Sequence, residues 1–132
     1  EAYKIIKKPV LVEDVSLVFK ELKSLPGPLI KWFLETLGNG GLCRMFDSKN
    51  REAIAKVAFC YFDGKMAKVF SAQRRGTISE KPRGKMGFGW DPIFIPEGFN
   101  KTWAEMNDDE KHQSSMRKIA LRKLKKYLEN GL

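Results

Sequence analysis

Two runs of alternating side chains on either side of an Asp-Gly step constrain this chain more than any other feature. From Arg51 to Ala72 it reads REAIAKVAFCYFDGKMAKVFSA. Ile54, Lys56, Ala58, Cys60 and Phe62 interleave with Ala55, Val57, Phe59 and Tyr61. That period of two sends successive side chains to opposite faces of a sheet. Asp63–Gly64 suits a tight hairpin turn, whose central residues need positive φ. A hairpin is antiparallel by construction, so a purely parallel sheet is excluded.

The remaining segments are placed around that hairpin. EAYKIIKK reads as the tail of a helix. PVLVED, rich in β-branched residues and bounded by a proline and two acids, predicts a buried strand ending at Glu13–Asp14. SLVFKELKSL, apolar at Leu17, Phe19, Leu22 and Leu25, predicts a short helix capped by Ser16. LIKWFLETLGNGG predicts a second helix ended by its glycines. RRGTISEKPRGKMGFG is polar and glycine-rich, a loop, and PIFIP is a short strand between prolines. The last segment predicts one helix from a cap at Asn107, with acids in its first turn and an apolar stripe through Met116, Ile119, Ala120, Leu124, Tyr127 and Leu128, closed by Gly131. Strand, helices, hairpin, strand and helix make one α/β domain over residues 1–132, built on a mixed sheet.

The net charge of +9 and pI near 9.6 suit an anionic partner. Much of the excess lies in KIALRKLKK, residues 118–126, which reads first as the solvated face of an amphipathic helix. No apolar run reaches membrane-spanning length, and no secretory leader pattern occurs within the sequence, so a cytoplasmic setting is expected. Cys43 and Cys60 lack metal-ligand spacing and read as reduced thiols.

Chemistry concentrates in three places. Glu13 and Asp14, at the expected carboxyl end of a strand, are oxygen donors suited to Mg²⁺ or to orienting a water. Lys31, near a helix start, suits phosphate. MGFGWDPIFIPEGF, residues 86–99, sets Phe88, Trp90 and Asp91 around glycines. Phe88 or Trp90 can stack on a flat base, Gly89 lets the backbone approach, and Asp91 can accept from ring N–H groups. Lys111 and Arg117 follow six positions apart, with the Arg fork able to engage a base carbonyl. Lys81, Arg83 and Lys85 make the loop before the slot basic. His112, the single histidine, reads as a helix-surface residue.

These motifs together resemble the inosine triphosphate pyrophosphatase family. PVLVEDVSLVFKELKSLPGPLIKWFLE is similar to that family's Val-Glu-Asp-Thr and Leu-Pro-Gly-Pro segment, and RGKMGFGWDPIFIPEGFNKTWAEMNDDEK to its Phe-Gly-Trp-Asp-Pro signature. The resemblance implies an elongated α/β fold, a homodimer, dependence on Mg²⁺ with Mn²⁺ as a substitute, and cleavage of ITP, dITP or XTP to the monophosphate and pyrophosphate. It implies no stable nucleic-acid binding and no membrane. By position, it implies Asp14 as the catalytic carboxylate and, with Glu13, a metal ligand. It implies substrate contacts from Val15, Lys31, Phe88, Gly89, Trp90, Asp91, Lys111, Met116 and Arg117. The sequence departs from the family pattern at His112, where an Asn is usual, and at Met116, where a His is usual. The family's first strand, its phosphate loop and a metal-binding Glu would precede Glu1. The domain is therefore expected to be N-terminally incomplete, and the alternative reading is a non-catalytic nucleotide-binding or dimerising remnant.

Overall fold

The computed structural model describes residues 8–130. The helix expected at EAYKIIKK and the stop expected at Gly131 lie outside them. Five strands form one sheet in the order β2-β1-β3-β4-β5: β1 Val10–Phe19, β2 Pro26–Gly27, β3 Glu52–Phe62, β4 Ala67–Ile78 and β5 Phe94–Pro96. The sheet expected to be mixed is antiparallel at every pairing among the described residues. The helices are α1 Ile30–Arg44, α2 Asp108–Ser114 and α3 Met116–Glu129.

The hairpin forms as its alternation dictates. β3 and β4 pair from Glu52↔Thr77 to Phe62↔Ala67, and the Asp63 carboxylate accepts the N–H groups of Lys65 and Met66 at 2.9 Å each. Those bonds hold the Asp63 carboxyl below the usual carboxylate range. β4 runs past the expected end at Ala72 to Ile78, because β5 gives it a partner: Gly76 faces Pro96 and Ile78 faces Phe94. Only glycine fits at 76, since a β-carbon there would collide with the Phe94 ring and the Ile95 carbonyl.

Three further expectations are corrected. β1 does not stop at Glu13–Asp14 but pairs with β3 from Val10↔Phe62 to Phe19↔Ala53, so both acids sit in mid-strand. The helix expected at 16–25 is the second half of that strand followed by a 3-10 turn at Lys20–Leu22. Leu17 and Phe19 lie two apart, and both are fully buried on one face, which is strand spacing once an eleven-residue partner strand is available. The glycines near α1 kink it without ending it: Gly38 takes φ 69° and ψ 169°, and the helix resumes to Arg44. The single C-terminal helix is two, separated by Ser115 in an extended conformation (φ −83°, ψ 133°).

One sheet face carries the core. Leu17 and Phe19 of β1 and Ala53, Ala55, Val57 and Phe59 of β3 are buried there against Met116 and Ala120 of α3 and Leu42, Cys43 and Phe46 at the end of α1. The small alanines make room for large neighbours, such as Phe19 edge-on to Phe46 at 4.7 Å. Burial pushes the Cys43 thiol pKa up. Both cysteines are free. The opposite face keeps Val12 and Val69 exposed. No helix among the described residues is long and apolar enough to cross a membrane.

Candidate nucleotide-base cleft

A loop that folds back on its own carboxylate builds one wall of the site. Asp91 is 7% exposed, and its Oδ2 accepts the Phe88 N–H at 3.1 Å. The Asp91 N–H in turn donates to the Phe88 carbonyl at 3.1 Å. Gly87, at φ 74°, lets this closure happen, because a β-carbon there would collide with the Asp91 carboxylate. The loop is anchored from outside by the Met86 N–H, which donates to the Ala104 carbonyl at 3.0 Å. Ala104 lies in a 3-10 turn, Trp103–Glu105, closed by a capping box between Thr102 and Glu105. Arg83 donates to Glu105 Oε1 through Nε at 3.0 Å and Nη2 at 2.9 Å. That bond, and then the Thr102 N–H, hold the Glu105 carboxyl below its usual range. Arg83, read from the sequence as part of a basic loop, is thus occupied in supporting the turn.

The second wall comes from the break between α2 and α3. Asn107 caps α2 through a reciprocal box with Glu110, and Ser115 caps α3, its Oγ accepting the Arg117 N–H at 3.1 Å. Ser114 is fully buried and takes the Trp103 indole N–H at 2.8 Å. The break therefore puts Lys111 and Arg117 on the same cleft. Lys111 Nζ lies 2.7 Å from Asp91 Oδ2 and 5.1 Å from the centre of the Phe88 ring, and the Arg117 guanidinium carbon lies 5.7 Å from that ring. Arg117 also grips Glu13 with two donors, Nε at 2.7 Å and Nη2 at 3.1 Å, out of the five a guanidinium carries.

The resulting cleft has about 510 Å³ of space, its open mouth included, and is lined by Val15, Phe88, Gly89, Trp90, Asp91, Trp103, Lys111, Ser115, Met116 and Arg117. Most of the residues singled out from the sequence meet here. Phe88 and Trp90 divide their work: Trp90 is buried among Phe94 and Trp103, ring centres 5.7 Å away in each case, whereas Phe88 is 67% exposed. Phe88 is the solvent-facing aromatic of the cleft, with Lys111 and Arg117 near its ring.

Three sequence-selected residues lie elsewhere. Lys31 is exposed in the first turn of α1, which has no side-chain cap, and it does not line the cleft. Glu13 and Asp14 are neighbours on a strand and so point to opposite faces; they cannot close on one ion together. Glu13 goes to Arg117. Asp14 is exposed, with no partner among the described residues. Among those residues no three His, Cys, Asp or Glu side chains converge. Trp103 and Ser115 were not read from the sequence as site residues. A Ser-Ser step inside an apparent helix was the available signal, since serine competes with the helix backbone and favours caps.

The Ham1 family model matches residues 1–127. The chain belongs to the Ham1 family. Curated relatives in that family include the inosine triphosphate pyrophosphatase of Aspergillus fumigatus, 47% identical over 126 residues, which cover 93% of this chain and 66% of the relative. The dITP/XTP pyrophosphatase of Saccharolobus solfataricus is 40% identical over 130 residues, covering 98% of this chain and 68% of the relative. The chain thus spans about two thirds of the length of the curated relatives it matches. Among solved structures, the Staphylococcus aureus Ham1 protein superposes with a TM-score of 0.77 at 27% identity, over 98% of this chain and 71% of that one. A nucleoside-triphosphatase of Mycobacterium abscessus, also titled a dITP/XTP pyrophosphatase, gives 0.75 at 28%, over 93% and 70%. The resemblance read from the sequence motifs is the family found by comparison, and the α/β fold expected from it is the fold these Ham1 structures share.

Proposed function

We propose that this chain serves a nucleoside-triphosphate pyrophosphatase that cleaves ITP, dITP or XTP to the monophosphate and pyrophosphate. One observation carries the reading: the exposed Phe88 ring, Lys111 and Arg117 meet in one cleft, with the two cations 5.1 and 5.7 Å from the ring centre, in a family whose curated relatives bear that activity in their names. A base stacked on Phe88 gains roughly 1–3 kcal/mol. An oxygen at its 6-position would accept from the two cations. An amino group there would present a donor to donors and give the N–H groups that face it no acceptor, which is how a polar site rejects an analogue. Asp91, already bonded to Lys111 Nζ and the Phe88 N–H, would hold both groups in place; its second oxygen is the one to meet a ring N–H.

The phosphate end is assigned to Asp14 and Lys31. A carboxylate with no partner among the described residues fits the way Mg²⁺ is commonly held, by one or two carboxylates plus substrate phosphates and waters. Asp14 fits that role; Glu13, committed to Arg117, does not fit it in this arrangement. Mg²⁺, or Mn²⁺ in its place, would supply charge neutralisation at the phosphates. Asp14 would orient the attacking water, and Lys31 with the uncapped N–H groups of α1 would meet phosphate oxygens. A cytoplasmic homodimer completes the reading. The deciding experiment is pyrophosphate release from ITP, with GTP and ATP alongside and Mg²⁺ present. Selective release from ITP is expected; equal release from all three would refute the base assignment.

A further inference from the structure

The kink in α1 has a partner in the cleft. Lys31 sits in the first turn of the helix, and Asn39 is the first residue beyond the Gly38 break. Asn39 Nδ2 donates to the Gly89 carbonyl at 3.0 Å, joining segments fifty positions apart. Gly89 takes φ 60°, and a β-carbon there would meet nothing within 4 Å, so no side chain of its own anchors this position. The hydrogen bonds between Phe88 and Asp91 stay within the loop, and Met86 ties only its start to Ala104. The Asn39 amide therefore supplies a direct hydrogen bond from α1 to the loop, next to the Phe88 ring.

The other half of the amide makes the case sharper. Asn39 Oδ1 is buried with no hydrogen-bond partner among the described residues. An orphaned acceptor costs folding about as much as one hydrogen bond returns, so this side chain has little net value for stability. Its value lies in where it holds Gly89.

We infer that Asn39 is a positioning residue of the base cleft. It fixes the Gly89 peptide, and with it the Phe88 ring, through a helix whose other end carries Lys31. The inference builds on the function proposed above, and its test separates the two. Asn39→Leu removes the donor and the orphaned acceptor together. The KM for ITP should rise about three- to tenfold, the loss of one such hydrogen bond, with kcat within twofold. The urea midpoint should stay the same or rise, an outcome that a merely structural role does not produce. Asn39→Asp, which keeps the shape and loses the donor, should raise KM likewise.

A second readout needs no substrate. Amide exchange at Phe88 and Asp91 should quicken about three- to tenfold in both variants. If the parent protein releases no pyrophosphate from ITP, the proposed function fails, and the exchange result still decides the role of Asn39. Unchanged exchange at these two amides would overturn the inference, as would an unchanged KM in an active protein. So would a KM increase accompanied by a lower urea midpoint.

Discussion

Asp91 and Asp14 bear the same carboxylate, but their surroundings differ at every step. Asp91 is 7% exposed, in a loop closed by Gly87, and its Oδ2 is shared by Lys111 Nζ and a backbone N–H. Asp14 stands exposed in mid-strand without a described partner. The proposed base end thus has its electrostatics set within the fold itself. At the proposed phosphate end, the chain offers single groups that a ligand or ion would bring together. The lesson is that one residue type is built into the fold in one place and left available in the other, according to what already compensates its charge.

The comparison can be broken by exchanging the two behaviours. Asp14→Asn should leave stability within about 0.5 kcal/mol, while pyrophosphate release from ITP falls by about 10²-fold or more; a large drop in the urea midpoint would erase the contrast. Asp91→Ala should behave the other way, costing about 2 kcal/mol because it strands a largely buried Lys111 ammonium. It should also flatten the preference for ITP over ATP. Denaturation and paired kcat/KM values check both halves, and a fully stable variant that loses only discrimination would show that Lys111 does not need its partner to fold.

Smaller changes sharpen the picture of the scaffold. Ser115→Ala should cost about 1 kcal/mol in thermal unfolding, the value of an N-cap, and should weaken ITP binding by loosening Arg117. Glu13→Gln should change stability by less than about 1 kcal/mol, since the pair with Arg117 is roughly one third exposed on both sides.

The smallest effect is one of pH. The Glu105 carboxyl is held low in the folded protein by Arg83 and the Thr102 N–H, so its contribution is complete above the ordinary glutamate pKa of about 4.3 and fades as pH falls through the lower folded value. The stability gap between the parent protein and Glu105→Gln should shrink below about pH 4.3; a gap that widens on acidification would contradict the assignment.

The hairpin was legible because its information is local: alternation fixes which side chains share a face, and Asp63–Gly64 fixes where the chain turns. The cap at Asn107 was legible for the same reason, and so in part was the strand expected at PIFIP, of which Phe94–Pro96 pairs while Asp91–Ile93 forms a 3-10 turn. β1 was misread after Asp14 because Val15–Leu25 fits a helix or a strand by composition, and β3 decides the matter by supplying a full-length partner. The cleft was legible as a set of residues and not as an arrangement. Phe88 and Trp90 look equivalent in the sequence, yet one packs with Phe94 and Trp103 and the other faces solvent.

What the sequence alone determined is the hairpin, the loop chemistry around Asp91 and the family, each carried by residues close together along the chain. Tertiary structure alone decided the break at Ser115 that turns Lys111 and Arg117 onto one ring, the capture of Glu13 by Arg117 across 104 positions, and the bond from Asn39 to Gly89. These depend on the relative placement of distant segments, which core packing sets and no local pattern encodes.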